Sequence, residues 1–203
     1  MALGQILAEY EETQKVIITT DVGQHQLWAS HLLPVDKPRH FITSGGLGTM
    51  GFGLPAALGA QLACPECLVL CISGDGSFQM NVQEMATAVV HKLPVKIAII
   101  NNHSLGLVRQ WQELFLEQRV TNTLLEDVPN YVKLAEAYGW QARVLNAGLD
   151  NDSITNDKNT RTALRWLLES KSPALLEIVV PTEDILAPLV KPGGTLKEII
   201  WDV

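Results

Sequence analysis

Leu68–Ser77 reads LVLCISGDGS and Lys96–Asn102 reads KIAIINN. Each is a short aliphatic run, apolar on both faces, that ends abruptly in small or polar residues. A strand covered on both sides by helices has this composition, whereas a half-exposed strand alternates. Working outward, Val16–Thr20 (VIITT), His40–Thr43, Arg143–Leu145 and Ala174–Val180 read as further strands. Helical patterns lie near Leu3–Glu12, Gly51–Leu62, Val82–His91, Leu105–Leu116, Val128–Tyr138 and Thr162–Glu169. The alternation predicts an α/β fold, an open, mostly parallel six-stranded sheet with helices on both faces. In the third helical segment Val82, Met85, Ala86 and Val89 make one apolar stripe. Asn81 with Glu84 matches a capping box at its start, which makes Glu84 a structural carboxylate.

The bulk properties narrow the function. A chain of 203 residues suits one domain with a full core. With 47% hydrophobic and 18% charged residues it is a compact folded chain rather than a disordered one. The formal charge of −7, without any Lys/Arg run, argues against nucleic acid as a partner. No apolar run approaches the roughly 20 residues that cross a bilayer, so no membrane partner is expected. The opening MALGQILAEYEETQK carries acids where a secretory signal has basic residues. That predicts a mature start in the cytoplasm, or in an organelle after removal of a targeting segment.

Cys64 and Cys67 form a CxxC between a helix end and a strand, with too few further ligands for zinc, so they and Cys71 read as plain structural cysteines. Asn146–Thr160 is polar and turn-rich and reads as a surface insertion; it contains the sequon Asn151-Asp152-Ser153, of no use to a cytosolic protein. Pro181–Val203 is loop-rich, and the expected division is a ligand-binding domain over 1–187 with a C-terminal arm over 188–203.

Ligands of open α/β sheets bind beyond the carboxyl ends of the strands. Four exits are small, polar or Gly-rich: Asp21–Gln26, Ser44–Gly53, Gly74–Ser77 and Asn101–Ser104. Asp75 offers a hard anionic oxygen and Asn102, at the exit of the next strand, a neutral amide oxygen. Mg²⁺ takes one or two such ligands together with phosphate oxygens and water. Gly76 leaves room for a phosphate near the backbone, Ser77 can donate a hydroxyl, and the helix that follows points its N-terminus at the same place. The rival is a dinucleotide site, since Gly46–Gly51 is a literal G-x-G-x-x-G and Asp75 could meet a ribose. That match starts inside a longer glycine run, in the third element rather than the first, and it leaves Asn101-Asn102 without a task.

Gly74-Asp75-Gly76 followed by Asn101-Asn102 resembles the thiamine diphosphate signature. Thr19–Ser30, Phe41–Ala63, Gly74–Val89 and Leu93–Phe115 are similar to the large subunit of acetohydroxyacid synthase (acetolactate synthase), over about Val16 to Ala187. The resemblance implies that Asp75, Asn102 and the Ser104 carbonyl ligate Mg²⁺. It implies that Gln24, His25, Gly76 and Ser77 contact the diphosphate, and that Gly48 and Met50 hold the aminopyrimidine ring. It places Trp111 and Leu107 at the substrate pocket, with Leu107 where the family often has methionine.

The implied activity is the synthesis of 2-acetolactate and CO2 from two pyruvates, in branched-chain amino acid biosynthesis. Family members draw their activating glutamate from a pyrimidine-binding domain and carry FAD on a third domain. Neither domain lies in this sequence, so no catalytic residue is expected here. The chain should need the pyrimidine-binding domain in cis or in trans, form a homo-oligomer and meet a regulatory small subunit. Two other readings stay open: the cofactor subunit of a two-subunit 2-oxoacid decarboxylase, and a non-catalytic thiamine diphosphate-binding module.

Overall fold

The computed structural model describes residues 2–33, 35–127, 129–147 and 158–201. Six strands, β1 (Val16–Thr20), β2 (Phe41–Thr43), β3 (Leu68–Gly74), β4 (Lys96–Asn101), β5 (Gln141–Asn146) and β6 (Ala174–Val179), form one sheet in the order β2-β1-β3-β4-β6-β5. Every pairing in it is parallel. The aliphatic runs decide the layout, because β1 and β3 are buried along their whole length. In β3, Val69 and Cys71 face one core and Leu68, Leu70 and Ile72 the other. Fully burying one such aliphatic side chain contributes about 1.5–3 kcal/mol.

Helices cover both faces, as the sequence predicts. α3 (Gly53–Ala63), α5 (Met85–Val90) and α7 (Tyr131–Ala137) pack on the Val69 face. α1 (Ala2–Glu11), α2 (Gln24–Leu32) and α8 (Lys158–Glu169) pack on the Leu70 face. α4 (Asp75–Phe78) and α6 (Gly106–Phe115) start at the ends of β3 and β4. A short antiparallel ribbon, β7 (Leu189–Val190) with β8 (Ile199–Ile200), organises the arm after Pro188. Among the described residues no helix is long and apolar enough to cross a membrane.

Four local expectations need correction. First, α2 falls where the sequence gave a ligand-bearing exit, with His25 as either a ligand contact or a helix-start residue, and no helical segment. Second, the capping box does not form. Asn81 leaves helical geometry (φ −136°, ψ 33°) and turns its Nδ2 to the Gly51 carbonyl at 2.8 Å, while Glu84 accepts from the Thr87 hydroxyl at 2.8 Å. The segment is a 3₁₀ stretch, Gln79–Glu84, ahead of α5, and its buried stripe runs through Met85 and Ala88, leaving Ala86 and Val89 exposed. Third, Cys64 and Cys67 are disulfide-linked, not free. A turn closed by Cys67 N–H to the Cys64 carbonyl (3.1 Å) brings them together. Gln61 Nε2 caps the carbonyls of Cys64, Pro65 and Cys67; Cys71 is free and buried. Fourth, the helix after β3 is a single turn, so the longer helices that begin at the ligand end include α2, α3 and α6. Residues 148–157 of the insertion, including its sequon, and Val128 lie outside the described residues.

Candidate functional site

The chain leaves β1 to form β2 on one side and returns to form β3 on the other, so the switch in strand order lies between β1 and β3. Ligand crevices of open α/β sheets form at such a point. A cleft opens there, lined among others by Gln24, His25, Met50, Asp75, Gly76, Ser77, Asn102, Ser104 and Leu107. Three of the four predicted exits supply its polar groups, and the fourth contributes Met50.

Asp75 is buried, and its Oδ2 has no hydrogen-bond partner. Burial pushes its carboxyl up to about 6, against the pull of the Gly76 N–H, the charge of His103 and the Ser104 N–H. Its own carbonyl receives the Tyr131 hydroxyl at 2.9 Å, which fixes the turn from beneath. Asn102 Oδ1 accepts from the Ser104 N–H at 3.2 Å, so Ser104 N lies between the two oxygen ligands that the sequence nominated. Of the asparagine pair only Asn102 faces the cleft; Asn101 Nδ2 is turned into the sheet, onto Glu177 Oε1 at 2.7 Å.

The predicted phosphate contacts are placed unevenly. His25 is buried with an unpartnered Nε2, and burial lowers its imidazole to about 3, against a hydrogen bond to the Asp21 backbone. It is therefore a neutral ring with one N–H, which the Asp21 backbone already engages. A Cβ on Gly74 would come within 2.7 Å of His25 Nδ1, so glycine is what lets the ring sit against the end of β3. The Ser77 hydroxyl takes the Gly74 N–H at 3.2 Å. Both amide hydrogens of Gln24 are engaged, on Gln110 Oε1 (2.7 Å) and the Asp184 carbonyl (2.9 Å), and its Oε1 accepts from Asn102 Nδ2 (3.0 Å).

The Gly-rich exit curls beside this cleft. Gly48 (φ +64°) is exposed next to Val22 rather than lining the cleft. Leu107 belongs both to the cleft and to an adjoining apolar groove that holds Trp111, Leu27, Pro188, Leu189 and Ile199. Trp111 is 43% exposed there.

Sequence reasoning gave no role to Asp21 or Gln110. The buried Asp21 carboxylate accepts from the N–H groups of Val22 (2.9 Å), Gly51 (2.8 Å) and Gly53 (3.2 Å), and so clamps the glycine loop to the end of β1. An acidic residue at a strand exit, one loop upstream of glycines, was the available signal. Gln110 is fully buried, a polar residue on the inner face of an amphipathic helix.

The comparisons with known proteins agree with this geometry. Residues 21–178 match the family described as thiamine pyrophosphate enzyme, C-terminal TPP binding domain. The chain is 46% identical to acetolactate synthase isozyme 2 large subunit of Escherichia coli K12, over 91% of this chain and 32% of that protein. It is 46% identical to the acetolactate synthase large subunit of Porphyra purpurea, over 92% of this chain and 30% of that protein. It is 44% identical to a probable acetolactate synthase large subunit of Methanocaldococcus jannaschii, over 99% of this chain and 32% of that protein. The chain thus spans about a third of the length of these relatives. The dinucleotide reading falls with these matches. The chain belongs to the thiamine pyrophosphate enzymes and corresponds to their C-terminal cofactor-binding domain.

Proposed function

We propose that this chain is the Mg²⁺- and diphosphate-holding part of an acetolactate synthase, and that it is inactive without a pyrimidine-binding domain. One observation carries the reading. A buried carboxylate oxygen, Asp75 Oδ2, has no partner and lies in a cleft shared with Asn102 and Ser104. Leaving a charge buried and unpaired is costly, and a hard divalent cation with phosphate oxygens would relieve it. The residues present fit that group. Asp75, the Asn102 amide oxygen and the Ser104 carbonyl would hold Mg²⁺. Gly76, Ser77 and the neutral His25 would meet the diphosphate, with Gln24 acting mainly through Asn102. Gly48 and Met50 would face the aminopyrimidine, and Leu107 and Trp111 the 2-oxoacid. When bound, thiamine diphosphate supplies the electron sink for decarboxylating pyruvate; the chain's residues orient it and exclude water.

The domain boundary proposed is Ala187/Pro188, with the ribbon as an arm. The activating glutamate would come from a pyrimidine-binding domain in cis or in trans, and FAD would be bound elsewhere in the whole enzyme. Exposed apolar side chains on elements bordering the cleft support a covering partner: Leu47 (95%), Met80 (55%) and Val108 (50%). A homo-oligomer and a regulatory small subunit complete the assembly we propose. Calorimetry with thiamine diphosphate, with and without Mg²⁺, tests the site. Mg²⁺-dependent heat that Asp75→Ala abolishes supports it, and NAD⁺ heat in place of that signal refutes it.

A further inference from the structure

Asn102 is useful to a cation only if its oxygen, and not its NH₂, points into the cleft. A side-chain amide can present either end, so something must choose. The choice can be followed back to main-chain groups, which cannot flip. The Leu186 N–H donates to Gln110 Oε1 (2.9 Å), and Gln110 Nε2 donates to the Leu186 carbonyl (3.0 Å). This two-point clamp fixes which end of Gln110 faces which way. Gln110 Oε1 then draws Gln24 Nε2 to 2.7 Å, and the Asp184 carbonyl draws the same nitrogen to 2.9 Å. Gln24 is left presenting Oε1, which takes Asn102 Nδ2 at 3.0 Å. The Asn102 oxygen must therefore face the other way, towards the Ser104 N–H and the Asp75 carboxylate. Gln110 and Gln24 are both buried, so water does not compete for these groups.

We propose that Gln110 is a positioning residue: acting through Gln24, it sets the orientation of the Asn102 amide and so offers the cation an oxygen. The strap Asp184–Leu186 is the fixed end of this chain of amides. The inference rests on the metal reading of Asp75 and Asn102. Supporting groups of this kind typically change metal affinity 10- to 100-fold, and the residual hold from Ser104 N and Asp184 O puts the effect of Gln110 near the lower figure.

The test is Mn²⁺ binding by the full chain with saturating thiamine diphosphate, followed by calorimetry and by the Mn²⁺ spin-resonance signal. Gln110→Met, close in volume, should weaken Mn²⁺ about tenfold. Gln110→Glu keeps an acceptor for Gln24 Nε2 but turns its second oxygen onto the Leu186 carbonyl, so it should fall between the wild type and Gln110→Met. The deciding measurement repeats Gln110→Met on an Asn102→Asp background. A carboxylate has no amide to orient, and a released Gln24 can turn its NH₂ towards it. Mn²⁺ affinity should then be unchanged or higher. An equal loss on both backgrounds would mean that Gln110 merely holds the fold, and the inference would fail alone, as it would if Gln110→Met cost nothing on the Asn102 background. Absence of Mn²⁺ binding by the wild type would overturn the metal reading together with this inference.

Discussion

Gly106→Ala sets two expectations against each other. Gly106 opens α6, and replacing a helical glycine by alanine ordinarily stabilises by about 0.5–1 kcal/mol. A Cβ here, however, would strike Gln24 Oε1 and come within 2.5 Å of Asn102 Nδ2. Gln24 cannot withdraw without loosening its bonds to Gln110, Asp184 and Asn102. At about 1 kcal/mol net for each of the three bonds, with a further 1–3 kcal/mol for a buried amide left unpaired, the loss is about 4–6 kcal/mol. Subtracting the helical gain leaves a net destabilisation of about 3–5 kcal/mol. For a chain of this size that lowers Tm by roughly 6–20 °C. Gly59→Ala is the control, because Gly59 is exposed within α3 and its added Cβ meets nothing within 4 Å. It should raise Tm by roughly 1–4 °C. Thermal melts of both variants without ligand decide the matter. If Gly106→Ala melts at or above the wild type, the amide network is not the rigid element that the packing implies.

Tyr131→Phe removes the hydroxyl that supports the Asp75 carbonyl and receives Gln79 Nε2, and should cost about 1–3 kcal/mol by urea unfolding with little change in m. Asp75→Asn removes a buried, half-unpartnered charge, so without ligand the variant should melt no lower than the wild type. Only the wild type should gain Tm from Mg²⁺ with thiamine diphosphate, by the equivalent of about 2.7 kcal/mol at a hundredfold excess over Kd. Lys96 is buried, with its Nζ on the Pro94 and Ser172 carbonyls, and burial lowers its ammonium to about 8. Between that pH and its ordinary 10.5 the unfolded chain binds the extra proton, so this residue makes stability rise with pH across the window. Urea midpoints at pH 8 and pH 10 should show that rise shrinking in Lys96→Met.

The sheet was legible because β3 and β4 are so apolar that only burial on both faces suits them, and all six strands fall where their runs lie. The helices were read less well wherever local pattern and tertiary contact compete. α2 starts with Gln24 and His25, which face the cleft, and Gln26, which holds the Thr43 hydroxyl at 2.7 Å, and their polarity hides the helical period. The Asn81–Glu84 pattern was sound as local chemistry, yet Asn81 finds a better partner in the Gly51 carbonyl, and the helix start moves to Met85. Spacing nominated Asp75 and Asn102 because each lies at a strand end, and the structure brings both to one cleft. It gave no hint of Gln110, whose partner Leu186 lies 76 residues further along the chain.

The twin asparagines at the end of β4 have a mechanical side. Successive residues of a strand face opposite ways, so a slip of one position exchanges their surroundings. Asn101 is opposite Val179 in the pairing of β4 with β6, and its side chain reaches back diagonally to Glu177. That grip, with the Val180 N–H on the Asn101 carbonyl at 2.9 Å, acts as a stop that β4 cannot slide past. One asparagine thus indexes the strand so that its neighbour arrives at the cleft, and loosening Glu177 would blur the site without touching any residue that lines it.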